Sequence, residues 1–389
     1  MATVEDVKEF KKEHQELIPG LPNEIAEICL LHVPYPYQPL VRSVSSSWNR
    51  AISNPSFTLS KKNLSNPHLF VLAFHTVTSK IQWQSLDPSS NRWFILPPMP
   101  LQNDTVCPTS FSCASLQRQG KIFVMRGTCS ETETFVYRAA VNKWLKASEM
   151  ITGRKSFFAA EEVNGRIVTV GESGTDIYDP ENDTWKRCSK FTGELDRYET
   201  VVNGGKLYVT EGWWWPFAVR PRGWVYELEN DTWREMGDGM KDGWTGVNVS
   251  VCGRVFMIPD VDLAMKVYDE VTDTWRCVGE NMKKPFVVRG LGDRIYVVSL
   301  GLKVVIGSVV VDDSDDVCGV KVTWQVLEGT EVFGEFAPSS CQELLSSISK
   351  GTQYVFSYLQ SIKSISDELS LIGHPLDDLD LVIYALNGL

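Results

Sequence analysis

The stretch Ile177–Trp185, which reads IYDPENDTW, recurs along the chain at a nearly constant interval. Copies of it, three of them weak, end at the further tryptophans Trp93, Trp144, Trp233, Trp275 and Trp324. Successive tryptophans are separated by 51, 41, 48, 42 and 49 residues. A repeat of this length indicates one supersecondary unit that is stacked beside copies of itself.

A second signature precedes most of these tryptophans, a tight turn of Gly and a basic residue followed by alternating β-formers. It occupies residues 120–124, 164–168, 205–209 and 253–256, and Asp replaces the Gly in a fifth copy at 293–297. Glycine supplies the positive φ that such hairpin turns require, and Asn and Asp tolerate it. Each repeat is therefore interpreted as two β-hairpins, with four strands named a to d in chain order.

Four-stranded units with no room for a crossover helix predict the blades of a β-propeller. The repeated Trp and Tyr side chains are then expected to fill the wedges between neighbouring blades. Counting tryptophans gives six blades, although the 51-residue interval before Trp144 leaves five or seven open. The first blade has only three strands before Trp93, and Phe336–Leu344 is predicted to supply the missing innermost strand and close the ring.

The N-terminal region predicts a small helical unit. Pro22 begins a first amphipathic helix that carries Ile25 and Ile28 and ends at Pro34, and a second helix is predicted over Gln38–Arg50. About 45 residues are too few to bury a sufficient core alone, so this unit is expected to lean on a partner or to act as a helical cap on the propeller.

The repeats resemble kelch repeats over about residues 68–346, although the diglycine usual at the end of strand b is absent. The N-terminal pattern resembles the F-box, whose helices dock on a Skp1-type adaptor. That resemblance implies a docking surface formed or supported by Leu21, Pro22, Ile25, Val33, Pro34, Val44 and Trp48. Some of these side chains must instead form the internal core, and the pattern does not divide them.

The expected fold class is mainly β, a kelch β-propeller preceded by a small all-α F-box domain. The predicted domains are a polar segment at 1–16, the F-box at 17–60, a linker at 61–67, the propeller at 68–346 and a tail at 347–389. The tail resembles a gag fragment of a copia-type retrotransposon, which suggests an insertion or a fused gene. The alternative is a helix pair packed on the propeller.

The connections b–c and d–a of a propeller lie together on one face, and here they include the long segments, among them Glu172–Thr175, Glu211–Gly223 and Gly239–Trp244. Binding residues concentrate on loops, and Trp and Arg are enriched at interface hot spots. The residues predicted to bind a protein substrate on this face are Arg154, Arg197, Trp213, Trp214, Trp215, Phe217, Arg220, Arg222 and Trp244. The alternative is that Trp214 and Phe217 pack the loop against neighbouring blades.

Composition excludes several classes of function. A formal charge of −11 and a pI near 5.1 argue against nucleic-acid or anionic-membrane partners. The first residues are not an apolar leader, and no stretch of eighteen apolar residues occurs, so cytoplasm or nucleus is expected. Nine cysteines without a Cys-x-x-Cys pair or clustered His predict free, mostly buried thiols, and neither a metal site nor a cofactor is expected.

A kelch-type oxidase or metal-dependent enzyme is disfavoured, because only His68 and His75 of the five histidines lie in the propeller. The chain resembles plant F-box/kelch proteins. That resemblance implies a non-catalytic substrate receptor of an SCF-type (Skp1–cullin–F-box) ubiquitin ligase, with a Skp1-like adaptor, a cullin and a protein target as partners. Some members recognise phenylpropanoid or flavonoid enzymes, and residues 337–342 are similar to that group. A kelch scaffold without a ligase role is the alternative.

Overall fold

The computed structural model describes residues 16–33, 37–54, 56–57, 60, 67–101, 111–126, 132–151, 158–189, 195, 198–211, 221–281, 285, 287–311, 319–327 and 333–345. His68–Leu344 forms one compact unit, and the N-terminal helices belong to a second. The gag-like tail lies outside the described residues.

Four α-helices lie wholly within the described residues: α1 Asn23–Leu31, α2 Gln38–Arg42, α3 Ser46–Ser53 and α4 Asp238–Gly243. The backbone carbonyl of Pro22 accepts the first bonds of α1, from the amides of Ile25 and Ala26 at 3.0 and 2.9 Å. No helix in the described part of the chain is long and apolar enough to cross a membrane.

The prediction of one helix over Gln38–Arg50 is wrong, because α2 ends at Arg42 and α3 begins at Ser46. Between them Ser45 has an extended backbone (φ −155°, ψ 162°), and its Oγ accepts a 3.1 Å hydrogen bond from the amide of Trp48. Ser45 is therefore the N-cap of α3, and serine is among the residues that best satisfy the free amides at a helix start.

The structure describes 24 strands, whose bounds are β1 Pro67–His75, β2 Ile81–Asp87, β3 Arg92–Ile95, β4 Phe111–Leu116, β5 Lys121–Arg126, β6 Thr134–Arg138, β7 Lys143–Ala147, β8 Phe158–Val163, β9 Arg166–Gly171, β10 Gly174–Asp179, β11 Thr184–Arg187, β12 Glu199–Asn203, β13 Lys206–Thr210, β14 Gly223–Glu227, β15 Thr232–Glu235, β16 Gly246–Val251, β17 Arg254–Pro259, β18 Ala264–Asp269, β19 Thr274–Asn281, β20 Val287–Leu291, β21 Arg294–Ser299, β22 Lys303–Val311, β23 Val320–Val326 and β24 Phe336–Leu345.

These strands form six four-stranded antiparallel sheets, which are the blades of a β-propeller. Blade 1 has the order β24-β1-β2-β3, and blades 2 to 6 follow in chain order as β4–β7, β8–β11, β12–β15, β16–β19 and β20–β23. The predicted six blades are confirmed, and so is the closing strand, since β24 lies beside β1 as the innermost strand of blade 1. In every blade the repeat tryptophan lies on the outermost strand.

The hydrophobic core lies between the blades. One buried cluster, for example, joins Phe123 and Met125 of blade 2 to Ile167 and Tyr178 of blade 3, with Trp185 packed against it. The innermost strands β4, β8, β12, β16 and β20 also pack side by side. Neighbouring blades therefore bury apolar surface against each other, as the repeat predicts.

A repeated set of contacts, here called the blade latch, joins the c–d turn of one blade to the end of strand d in the blade before it. In blade 3 the Asp183 carboxylate accepts bonds from the Tyr178 hydroxyl at 2.6 Å and the Ser148 amide at 3.1 Å. Trp185 Nε1 donates to the Ser148 carbonyl at 2.9 Å. The predicted packing role of the repeat Tyr and Trp is confirmed.

The latch recurs in blades 4 and 5. Asp231 accepts from the Tyr226 hydroxyl at 2.7 Å and the Ser189 amide at 3.0 Å. Asp273 accepts from the Tyr268 hydroxyl at 2.7 Å and from two amides of the segment that follows strand d of blade 4. Both aspartates have positive φ, 49° and 50°, which Asp tolerates better than most residues.

Two further expectations are wrong. Glu172–Thr175 is a tight turn, because β9 ends at Gly171 and β10 begins at Gly174. Among the described cysteines, the thiols are not mostly buried. Of the six described free cysteines, Cys113 and Cys341 are buried and Cys252 and Cys277 are exposed.

Candidate functional site

The N-terminal helical unit exposes apolar side chains that its own core does not use. Its core consists of Leu30, Ile52 and Phe57, with Val41 and Trp48 packed against them. In contrast, Ile28 of α1, Leu40 of α2 and Val44 of the α2–α3 turn are 43%, 61% and 62% exposed. Because these side chains are already about half buried, covering the rest against a partner would contribute about 1 kcal/mol each.

The structure divides the predicted docking residues. Pro22 and Val44 are exposed, and Leu21 and Ile25 are half-buried. Val33 is buried, so it is one of those side chains that form the internal core instead of the exposed surface. Pro34 lies outside the described residues.

Trp48 supports the unit from within. Its ring packs on the cluster of Leu30, Ile52 and Phe57, and its Nε1 donates to the backbone carbonyl of Leu17. A Trp N–H usually finds a partner when it is buried, and this bond ties α3 to the segment before α1.

On the propeller, most of the predicted substrate residues lie outside the described part of the chain, namely Arg154, Arg197, Trp213, Trp214, Trp215, Phe217 and Arg220. Arg222 is described, and its guanidinium pairs at 2.5 Å with the Glu211 carboxylate, whose side chain is only 3% exposed. The amide of Arg222 also donates to Glu211 at 3.1 Å. Arg222 therefore neutralises a buried carboxylate beside the loop, while 45% of its side chain stays exposed.

The assignment of Trp244 to the binding face is wrong, because its side chain has no exposed surface. The preceding residues form the short helix α4 rather than an open loop. Trp244 packs with Met236 and Met240 and meets Trp275 edge to face at 6.2 Å between ring centroids. It therefore fills the wedge between blades 4 and 5.

A charged cluster that the sequence interpretation missed lies among the innermost strands. Arg289 of β20 is 3.3 Å from Glu161 of β8, and Glu343 of β24 lines the same cavity. Burial by itself would lower the pKa of Arg289, but Glu161 and Glu343 hold it well above its usual range. Burial raises the pKa of Glu343 to about 7.

The signal for this cluster was present in the sequence. Charged residues interrupt the otherwise apolar or small-residue strands β8, β20 and β24. Similarly, Ile28 lies on a predicted amphipathic helix, but nothing in the pattern distinguishes an apolar face that packs inward from one left exposed.

Comparison with known proteins agrees with this architecture. An F-box domain model matches residues 18–60. The chain is 45% identical to F-box protein AFR of Arabidopsis thaliana, over 87% of this chain and 95% of that protein. An F-box/kelch-repeat protein of the same plant is 34% identical, over 85% of this chain and 87% of its own length.

The chain combines an F-box domain with a six-bladed propeller of kelch-like repeats. This combination defines the class of F-box/kelch proteins. The chain belongs to the F-box/kelch-repeat family, a family of generally non-catalytic adaptors. Homology to these F-box/kelch-repeat proteins implies an adaptor role in substrate recognition for ubiquitin ligases.

Proposed function

We propose that this chain is the substrate-recognition subunit of an SCF-type ubiquitin ligase. Its F-box domain binds a Skp1-like adaptor and, through it, a cullin, while the b–c and d–a loop face of the propeller binds a protein target. The observation that carries this proposal is the exposure of Ile28, Leu40 and Val44 on a domain that an F-box model matches over residues 18–60.

The contribution of such a subunit is proximity rather than chemistry. Holding a target lysine near a loaded conjugating enzyme raises its effective concentration, and proximity of this kind supplies several kcal/mol of the barrier reduction in well-oriented systems. The target is then marked for degradation. Phenylpropanoid and flavonoid enzymes are the first candidates to test, and the cytoplasm or nucleus is the proposed location.

Reconstitution tests the proposal. The full chain, a plant Skp1-like protein and a cullin are mixed and separated by size-exclusion chromatography, and ubiquitin transfer to a candidate target is followed in the same complex. The wild-type chain is expected to enter a complex of one copy of each protein. Leu40→Asp should abolish it, because a charge would have to be buried in the apolar contact.

Val326→Asp is the matched control, because Val326 is 70% exposed on the outermost strand of blade 6. That variant should enter the complex like wild type. If the wild-type chain stays apart from the Skp1-like protein, the ligase role is refuted. Target binding by such a chain would then assign it to the kelch scaffolds.

A further inference from the structure

A cavity of about 190 Å³ lies among the innermost strands of the propeller, and we call it the axial cavity. The charged and polar side chains that line it include Glu161, Glu162, Thr200, Asn248, Arg289 and Glu343. At about 30 Å³ per water molecule its volume equals that of roughly six waters. It is thus smaller than a pocket for a drug-sized ligand, which typically measures about 300–1,000 Å³.

The charges in the axial cavity do not balance. Glu161, Glu162 and Glu343 face the single guanidinium of Arg289. The Arg289 Nη1 lies 3.3 Å from one Glu161 oxygen, and the Thr200 hydroxyl donates to the other at 3.3 Å. Arg289 therefore pairs with Glu161, and the cavity carries an excess of negative charge once Glu343 is ionised.

Glu343 provides independent evidence for a ligand site. Glu343 is only 6% exposed, and its Oε2 is buried with no hydrogen-bond partner among the residues that the structure describes. Burying a carboxylate oxygen without a donor is unfavourable, so native structures supply a donor in nearly every case. A positively charged donor that enters the axial cavity would satisfy this oxygen and balance the charge.

We propose that the axial cavity binds a small organic cation through a primary ammonium or guanidinium group held by Glu343, with Glu161 and Glu162 completing the negative field. Such groups carry several N–H donors and match a carboxylate closely. The site goes beyond the adaptor role and does not depend on it. The cation is either a free amine or the end of a Lys or Arg side chain on a bound protein.

The ligand has a route into the site. A second, wider cavity of about 550 Å³ shares Gln117, Glu162 and Val202 with the axial cavity. Its other lining residues include Asn164, Gly165 and Gly205, which belong to the a–b turns. A linear chain with a charged end therefore reaches Glu343 from the face of the propeller that carries the short turns, opposite the predicted target face.

The affinity should depend on pH, because Glu343 must be ionised to hold a cation. The groups that act on it electrostatically are Arg289 of β20, Glu161 and Glu162 of β8, Cys341 of β24 and Tyr296 of β21. Burial in this setting raises the pKa of Glu343 to about 7. Its ionised fraction rises about tenfold between pH 6 and pH 8, and the affinity should rise with it.

The test is a titration of the full chain with n-butylammonium and with methylguanidinium, followed by saturation-transfer NMR and calorimetry at pH 8. Saturable binding at one site is expected. Glu343→Gln keeps the shape of the side chain and removes its charge, and it should weaken binding at least tenfold. Because this substitution removes a buried charge, the variant should unfold at the same or a higher temperature than wild type.

Glu181→Gln is the matched control, since Glu181 is an exposed carboxylate on the c–d turn of blade 3. It should bind both probes like wild type. A blocked peptide that contains one lysine distinguishes the two sources of the cation. Competition by the peptide identifies a protein side chain, whereas exclusion of the peptide with retention of n-butylammonium identifies a free amine.

Three results would overturn the proposal. They are the lack of saturable binding by either probe, equal affinities of wild type and Glu343→Gln, and tighter binding of calcium than of n-butylammonium at the same site. The last result would identify a metal site instead of a site for an organic cation.

Discussion

The blade latch at Asp273 predicts a large loss of stability when its carboxylate is removed. This side chain accepts hydrogen bonds from the Tyr268 hydroxyl at 2.7 Å and from the amides of Gly239 and Met240 at 2.9 Å. A hydrogen bond to a charged group contributes about 1.5–3 kcal/mol. Since the turn is partly open to water, we expect Asp273→Gly to cost about 3 kcal/mol in total rather than the full sum of three bonds.

Glycine is the informative replacement because φ at Asp273 is 50°, which glycine adopts without strain. Asp273→Asn keeps one acceptor oxygen for the bonds from Tyr268 and Met240 but loses the charge and the acceptor for the Gly239 amide, so it should cost about 1 kcal/mol. Val271→Gly in the same turn controls for backbone freedom, because Val271 is 95% exposed. It should cost less than about 1 kcal/mol.

Urea denaturation of the full chain, followed by tryptophan fluorescence, measures these differences. The midpoint for Asp273→Gly should fall by about 1 M relative to wild type, and the midpoint for Asp273→Asn by a third of that. If Asp273→Gly and Val271→Gly unfold at the same urea concentration, the latch contributes nothing and the argument is refuted.

Three further predictions concern the propeller. Gly246→Ala should lower the melting temperature by several degrees or prevent folding, because the new Cβ would overlap the Ile258 carbonyl oxygen. A melting temperature equal to that of wild type would contradict the packing of β16 on β17. Arg222→Ala should cost about 2–3 kcal/mol in urea denaturation, because it leaves the carboxylate of Glu211 buried without its cation, and adding Glu211→Gln should restore part of the loss. Burial raises the pKa of Glu343 from the usual value near 4.3 to about 7, so between these pH values the folded chain binds a proton that the unfolded chain does not. The unfolding free energy of wild type relative to Glu343→Gln should therefore fall as the pH rises from 5 to 8. A difference that stays constant over this range would refute the prediction.

The repeat made the propeller predictable from the sequence, because each blade carries its own turn and packing signals. Asn164 and Gly165 mark an a–b turn, and Tyr178 and Trp185 mark the wedge that packs on the blade before. Closure of the ring was predictable for a related reason, since one blade lacked a strand and one terminal segment had β character.

The functional surfaces were less predictable, because burial depends on tertiary context. Trp244 is of a residue type enriched at interface hot spots, yet it follows α4 and is buried in the core. Val33 and Val44 are chemically identical, yet Val33, which follows α1, is buried and Val44, in the α2–α3 turn, is exposed. The charged cluster of the axial cavity was missed because a period-2 pattern does not show which charged residues converge from strands that are far apart in sequence.

The central claim is that the exposed apolar residues of the F-box domain bind a Skp1-type adaptor. The most direct test is calorimetric titration of a plant Skp1-like protein into the full chain, with Val44→Asp as the test variant and Val261→Asp as the control. Val261 is 92% exposed in the turn between β17 and β18 of the propeller, so its substitution changes net charge and surface hydrophobicity in the same way. The account predicts that wild type and Val261→Asp bind the Skp1-like protein tightly and that Val44→Asp binds it with at least 100-fold lower affinity. No binding by wild type, or equal affinities of the two variants, would contradict it.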